Sequence, residues 1–144
     1  MTRQEVRAYL LRYRWNKKRI RRLAEQIEEL RTRKAYPGSP SLDAMPHGSN
    51  PSDLSDYASR LDELERRLGE EQVAADRAAL EVIETINRLE DETEKSVLTL
   101  YYVRGYRWER VCAEMSYTWQ HIFRIRNKAI RNLARLMEGG INDN

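Results

Sequence analysis

The feature that most constrains the fold is the stretch from Thr2 to Lys34, which contains neither glycine nor proline. Apolar and aromatic residues recur through it at alternating spacings of three and four, at Val6, Tyr9, Tyr13, Ile20, Leu23, Ile27 and Leu30. This heptad pattern predicts one long helix that packs against a partner helix along a narrow face. Asn16 interrupts the pattern, and a polar residue at such a position commonly sets the register of the pairing.

A second long helix is predicted after a loop. The segment from Ala35 to Pro51 holds all four prolines of the chain, so we place helix 1 over about 2–34 and a loop over 35–51. Helix 2 then covers 52–89, with Asn50 or Ser52 as its cap. The row of mostly apolar residues along one side of this helix, here called its seam, shifts by one residue near Gly69. The seam consists of Leu54, Tyr57, Leu61, Leu64 and Leu68, followed by Gln72, Ala75, Ala79, Val82, Ile86 and Leu89. We expect residues 1–89 to form an antiparallel helical hairpin.

Charge is distributed unevenly along the chain. Residues 1–34 hold 12 Lys or Arg and 4 Asp or Glu, residues 35–95 hold 6 and 15, and residues 96–144 hold 8 and 4. The basic first helix can therefore pair with the acidic second helix. The heptad positions of Arg14, Lys18, Arg21 and Arg22 face away from such a partner, so these four cations either contact DNA phosphates or form a solvated face.

The region after Leu89 divides into three short helices. The first begins at a cap, Asp91 or Thr93, and ends at Gly105. Its apolar positions are Val97, Leu98, Leu100, Tyr101 and Val103. The second covers 108–115. With the hairpin, this pattern predicts an all-α protein that has a helix-turn-helix domain over 90–138 and a short tail over 139–144.

The third helix of this domain is predicted to read DNA. Thr118 is placed to cap it, and its inward stripe is Ile122, Ile125, Ala129, Leu133 and Leu136. The outer face combines cations, amides and aromatic rings, which can contact guanine, adenine and thymine methyl groups in a major groove. The predicted DNA-binding residues are Arg107, Thr118, Trp119, Gln120, His121, Phe123, Arg124, Asn127, Lys128 and Arg131.

Two other interpretations of the third helix remain open. A polar-faced helix can simply close a small bundle. Trp119 and Phe123 can instead pack on helix 1 or on a partner chain, since exposed aromatic residues mark protein interfaces as well as nucleic-acid surfaces.

The C-terminal pattern resembles region 4 of bacterial sigma factors. In that family a glycine precedes a short helix with an Ile-Ala pair, followed by a turn, a capping serine and a recognition helix. The corresponding positions here are Gly105, Val111-Cys112, Met115-Ser116-Tyr117, Thr118 and Ile122. Cys112 replaces the small alanine and Ser116 replaces a frequent glycine.

The whole chain, including the MPHG loop at 45–48 before an acidic helix, resembles small phage and prophage proteins with a sigma-region-4-like C-terminal domain. Some of these are late-gene transcription activators of the ArpU and RinA type. The resemblance implies transcription control of phage genes, with RNA polymerase as a candidate second partner. The alternative is a coiled-coil assembly protein or a DNA-packaging recognition subunit.

Other classes of function find little support in the sequence. There is no catalytic constellation, and neither Cys112 nor His47 has companions at metal-ligand spacing, so we expect no catalytic residues, metal or cofactor. The stretch of about 20 apolar residues that a membrane span needs is absent. We expect a cytoplasmic protein of the bacterial host cell that forms a homo-oligomer through its hairpin.

Overall fold

The computed structural model describes residues 1–35 and 51–142, with side chains over 1–33 and 53–138. Within these residues the chain forms α1 (Arg3–Ala35), α2 (Pro51–Ile86), α3 (Glu92–Leu98), a π-helical turn (Thr99–Val103), α4 (Trp108–Met115) and α5 (Trp119–Asn142). The predicted all-α class is confirmed, since strands are absent from the described part. The predicted MPHG loop, with His47, lies outside the described residues.

Two compact units make up the chain. One, here called the core unit, combines Met1–Trp15 with Ala75–Asn144, and the other, the hairpin unit, is Asn16–Ala74. The core unit therefore contains the beginning of α1, the end of α2 and all of α3, α4 and α5. The predicted helix-turn-helix domain over 90–138 is part of this unit.

In the hairpin unit, α1 and α2 run antiparallel and are joined by polar contacts. Asn16 is 7% exposed, and its amide nitrogen donates a hydrogen bond to Glu71 Oε2 at 3.1 Å. Arg19 pairs with the same carboxylate at 3.2 Å, and Arg31 pairs with Glu65. The predicted attraction between a basic α1 and an acidic α2 is confirmed by these pairs. Leu54, a predicted seam residue, is 43% exposed, so the seam does not extend to the first turns of α2.

The core unit has a continuous apolar interior that involves both ends of the chain. Val6 and Leu10 of α1 are fully buried together with residues of α2, α3, the π-helical turn and α5. The other members of this cluster are Val82, Ile86, Leu89, Leu98, Tyr102, Ala129, Ile130 and Leu133. Leu10 lies outside the predicted heptad seam, and its burial shows that α1 presents a wider apolar face here than a two-helix pairing requires.

A smaller apolar cluster positions α4 against α5. Val97, Leu100, Val111 and Ile122 are its buried members. Asp91 caps α3 by accepting a hydrogen bond from the Glu94 N–H at 2.9 Å, which decides between the two predicted caps. The predicted α-helix through Val103 is corrected in one respect, because its last turn is π-helical. Gly105 follows with φ of +75°, a conformation that suits a residue without Cβ.

Candidate nucleic-acid interface

A three-residue turn, 116–118, connects α4 to α5. Ser116 ends α4 in the left-handed region, with φ of +57°, and its N–H donates to the Ala113 carbonyl oxygen at 3.3 Å. Thr118 begins α5, since its Oγ1 accepts a hydrogen bond from the His121 N–H at 3.2 Å. The predicted cap is confirmed, and these two local devices determine where α5 starts and which side chains its first turn presents.

Most of the predicted DNA-binding side chains are exposed. Two exceptions are half-buried: Phe123, and Asn127, whose Oδ1 accepts a hydrogen bond from Arg126 Nη2 at 3.1 Å. The exposed ones are Arg107, Thr118, Trp119, Gln120, His121, Arg124, Lys128 and Arg131. Seven of these exposed residues, from Thr118 to Arg131, thus lie at the start and on the outer face of α5, and Arg107 is separate as the N-cap residue of α4.

A series of neighbouring aromatic rings connects this face of α5 with α4 and the π-helical turn. Trp119, which is 40% exposed, has its ring centroid 5.0 Å from that of Phe123. Phe123 in turn lies 6.2 Å from Trp108 of α4, and Trp108 stacks on Tyr101 at 3.9 Å. Phe123 therefore supports the α4–α5 packing, whereas Trp119 remains accessible.

Few carboxylates accompany the cations of α5. Its residues 119–138 contain Arg124, Arg126, Lys128, Arg131 and Arg135, against one acidic residue, Glu138. Among the described residues these five cations take part in no ion pair with a carboxylate. Glu90, Asp91 and Glu94 line the same surface pocket as Lys128 and Arg135, so acidic side chains lie near this part of α5 without pairing directly with its cations.

Arg126 is a residue that our prediction did not include. It is half-buried, and its Cζ lies 4.9 Å from the Phe123 ring centroid and 5.7 Å from that of Trp108. Burial lowers the pKa of Arg126, and the charge of Arg7 on α1 lowers it further. Arg126 therefore packs against aromatic rings of both α4 and α5, an environment that helical spacing within α5 cannot indicate.

The pKa of Tyr102, a buried residue of the π-helical turn, is also shifted. Burial raises the pKa of Tyr102, and the charges of Arg126, Arg7 and Arg14 act in the opposite direction.

The four predicted phosphate contacts of α1 divide into two kinds. Arg14 is half-buried in the core unit, where its Nη1 donates to the Tyr101 carbonyl oxygen at 2.8 Å and its Cζ lies 4.3 Å from the Tyr101 ring centroid. Lys18, Arg21 and Arg22 are exposed residues of the hairpin unit. The prediction that Arg14 faces away from a packing partner is therefore wrong, because Arg14 contacts Tyr101 within its own unit.

Within the described residues, no group of three His, Cys, Asp or Glu side chains is placed to hold a metal ion. Cys112 is half-buried and free. None of the helices described here combines the length and apolar character that crossing a membrane requires.

Comparison with known proteins identifies a family. A family model described as "Protein of unknown function (DUF1492)" matches residues 56–134, which is more than half of the chain and includes α3, α4 and the first two thirds of α5. Neither the curated proteins nor the solved structures contain a significant match.

Proposed function

The chain belongs to the DUF1492 family of uncharacterised proteins, and we propose that it binds duplex DNA in a sequence-specific manner through the exposed face of α5. The observation that carries this proposal is the face itself. Trp119, Gln120 and Arg124 are exposed on the first turns of a helix that a short helix and a three-residue turn precede. This is the order of elements in a helix-turn-helix protein, where the N-terminal residues of the second helix contact base edges.

The chemistry of the face favours DNA over a protein partner. Arg124, Lys128 and Arg131 are exposed cations without carboxylate partners among the described residues, and such cations attract a phosphate backbone. Arg124 and Gln120 can each form bidentate hydrogen bonds with a purine, and Trp119 can contact a thymine methyl group. Arg107, exposed before α4, suits a backbone phosphate.

The biological role that we propose is transcription control of phage or prophage genes in a bacterial cytoplasm, of the late-gene activator type. Its support is the resemblance of the C-terminal pattern to sigma region 4, with Gly105, Ser116 and Thr118 at the turn positions. RNA polymerase is the candidate protein partner of this role, and the helical hairpin is the candidate surface for homo-oligomer formation.

The test is binding to DNA recovered from the protein's own genome. Selection of bound fragments should yield one discrete site beside a promoter, and fluorescence anisotropy on that site should show binding that the Trp119→Ala, Arg124→Glu double variant weakens by about 100-fold or more. The matched control, Leu54→Ala with Arg60→Glu, changes an exposed apolar residue and an exposed arginine of the hairpin unit. Absence of binding at low salt, or equal loss in both variants, would refute the proposal.

A second candidate, an assembly or packaging protein, is favoured by one observation. Leu80 and Ile83 lie one turn apart on α2 and are 62% and 37% exposed, which is unusual for large apolar residues in a helix that also contributes to a core. Light scattering discriminates between the two candidates. A closed ring of many subunits would favour packaging, while a monomer or dimer that changes polymerase occupancy at a promoter would favour regulation.

A further inference from the structure

Arg126 and Asn127 form a hydrogen-bonded pair of side chains on α5. Arg126 Nη2 donates to Asn127 Oδ1 at 3.1 Å, and Arg126 Nε donates to the same oxygen at 3.4 Å. A guanidinium has only donors, so it can face the amide oxygen of Asn127 but not the amide NH2 group. The chemistry of the pair therefore determines which end of the Asn127 amide lies against Arg126.

The guanidinium of Arg126 is itself supported by aromatic rings. Its Cζ lies 4.9 Å from the ring centroid of Phe123 and 5.7 Å from that of Trp108. Trp108 in turn stacks on Tyr101, with ring centroids 3.9 Å apart. Such rings attract a cation, and Arg126 is half-buried. Arg126 is thus packed in place, so it can hold the Asn127 amide in one orientation.

This pair leaves Asn127 with donors only. An amide oxygen has two lone pairs, and the two Arg126 donors occupy both of them at Oδ1. Asn127 Nδ2 has no hydrogen-bond partner among the described residues, yet it is not one of their buried unpartnered atoms, so solvent reaches it. Asn127 therefore offers N–H donors to a ligand and no acceptor.

Asn127 lies on the side of α5 that we propose to contact bases. Gln120, Arg124, Asn127 and Arg131 follow one another at spacings of four, three and four, which places them on one face of the helix. Residues that contact bases recur at this spacing along the recognition helix of helix-turn-helix proteins. The free amide of Asn127 is therefore placed to meet a base edge beside Arg124.

Donors without an acceptor discriminate between the two purines. In the major groove guanine presents two adjacent acceptors, N7 and O6, whereas adenine presents the acceptor N7 beside the donor N6. Asparagine recognises adenine by using its amide oxygen and nitrogen together. Because Arg126 occupies the oxygen of Asn127, that mode is blocked, and the remaining NH2 group matches the acceptors of guanine.

We propose that Arg126 is a positioning residue that holds Asn127 so that its amide contacts a guanine of the DNA site as a donor. This inference rests on the proposed function and names one base that the α5 face selects. It also assigns a role to Arg126, which the sequence prediction did not include.

The test measures base preference at every position of the DNA site that genomic selection recovers. Fluorescence anisotropy is recorded with a panel of duplexes, each with one base pair of that site replaced, for wild type, Asn127→Asp, Arg126→Met and the control Arg135→Met. We expect wild type to lose about tenfold in affinity when one particular guanine is replaced by adenine, with its complement changed to match.

Asn127→Asp tests the outward-facing donor while Arg126 stays in place. Aspartate has the shape of asparagine and accepts hydrogen bonds from Arg126, but it presents an acceptor to the DNA. The preference for guanine at that position should disappear, whereas the preferences at the other positions should remain. This variant decides whether Asn127 contacts guanine even if Arg126→Met fails to fold.

Arg126→Met tests the positioning role. Methionine resembles arginine in length and helix propensity but has no donor, so Asn127 Oδ1 becomes free to accept from adenine N6. At the same position the affinities for guanine and adenine should then differ by less than about twofold. The control Arg135→Met removes an exposed arginine of the same helix and should keep the wild-type preferences.

A purely structural role of Arg126 would give a different result. Uniform loss of affinity in Arg126→Met, with all wild-type preferences kept, would overturn the positioning role. A position that responds to Asn127→Asp but prefers adenine in wild type would overturn the assignment of guanine. DNA binding without any position that responds to Asn127→Asp would overturn this inference alone, whereas absence of DNA binding by wild type at low salt would refute the proposed function as well.

Discussion

Two residues with positive φ shape the C-terminal half of the chain, and they differ in how well they suit that conformation. Gly105 at +75° has no Cβ, so it ends the π-helical turn without a steric cost. Ser116 at +57° carries a side chain and bears the penalty that L-residues have in the left-handed region. The hydrogen bonds of the turn between α4 and α5, which Ser116 N–H and Thr118 Oγ1 make, therefore hold its conformation despite that penalty.

Replacing Gly69 or Gly105 by alanine should change the stability of the protein in opposite directions. Gly105→Ala should lower the free energy of unfolding by about 1–2 kcal/mol, because the positive φ disfavours Cβ although space is open around it. Gly69→Ala should raise it by about 0.5–1 kcal/mol, because Gly69 lies inside α2 and nothing is within 4 Å of an added Cβ. Urea denaturation of both variants measures the two signs, and a gain from Gly105→Ala would contradict this account.

At the scale of elements, the pairing of α1 with α2 depends on a polar contact as well as on apolar burial. Glu71 accepts hydrogen bonds from Asn16 and Arg19. Burial alone would raise the pKa of Glu71, but these two hydrogen bonds outweigh it and the pKa is lowered from 4.5. Asn16, which interrupts the apolar seam, thus has a specific partner that sets the register of the two helices.

This contact predicts a pH dependence. Because the folded-state pKa of Glu71 lies below its unfolded value, the ionised carboxylate stabilises the fold above about pH 4.5, and this contribution is lost as the pH falls through the folded pKa. Glu71→Gln should therefore lower the free energy of unfolding by roughly 0.5–1 kcal/mol at pH 7 and by much less near pH 3.

Denaturant unfolding at both pH values measures the effect of Glu71→Gln. Glu84→Gln, which changes an exposed carboxylate on the same helix, serves as the control and should differ little from wild type at either pH. A Glu71→Gln effect that is the same at pH 3 and pH 7 would show that the charge of Glu71 does not contribute.

At the scale of the whole molecule, the first fifteen residues and the C-terminal helices belong to one compact unit. Val6 and Leu10 are fully buried against residues that include Ile130 and Leu133 of α5. The start of α1 is therefore part of the structure that supports the proposed DNA-binding face.

Leu10→Ala should accordingly destabilise the C-terminal helices. Removing a fully buried leucine leaves a cavity and costs about 2–5 kcal/mol, whereas Leu54→Ala changes an exposed residue and should cost less than about 0.5 kcal/mol. Hydrogen exchange would detect the change as faster exchange of the α5 amides in Leu10→Ala. Unaltered exchange in α5 would mean that α1 contributes little to this core.

Much of the secondary structure was predictable because its signals are local. The spacing of Val6 to Leu30, the capping oxygens of Asp91 and Thr118, and the position of Gly105 act within a few residues along the chain, so one sequence is enough to interpret them. The exposed face of α5 follows from the same periodicity. The π-helical turn after Leu98 was missed because it differs from an α-helix by one residue per turn, which apolar spacing over five residues does not resolve.

The sequence by itself determined where the helices occur, two of their caps and the charge of each, because helical periodicity and capping depend on neighbours in the chain. Only the tertiary structure decided that Leu10 shares a core with Leu133, and that Arg14 of α1 donates a hydrogen bond to the Tyr101 carbonyl oxygen. These residues are separated by more than one hundred positions or lie on different helices. Their contacts depend on how the apolar faces pack together, and no local pattern encodes that packing.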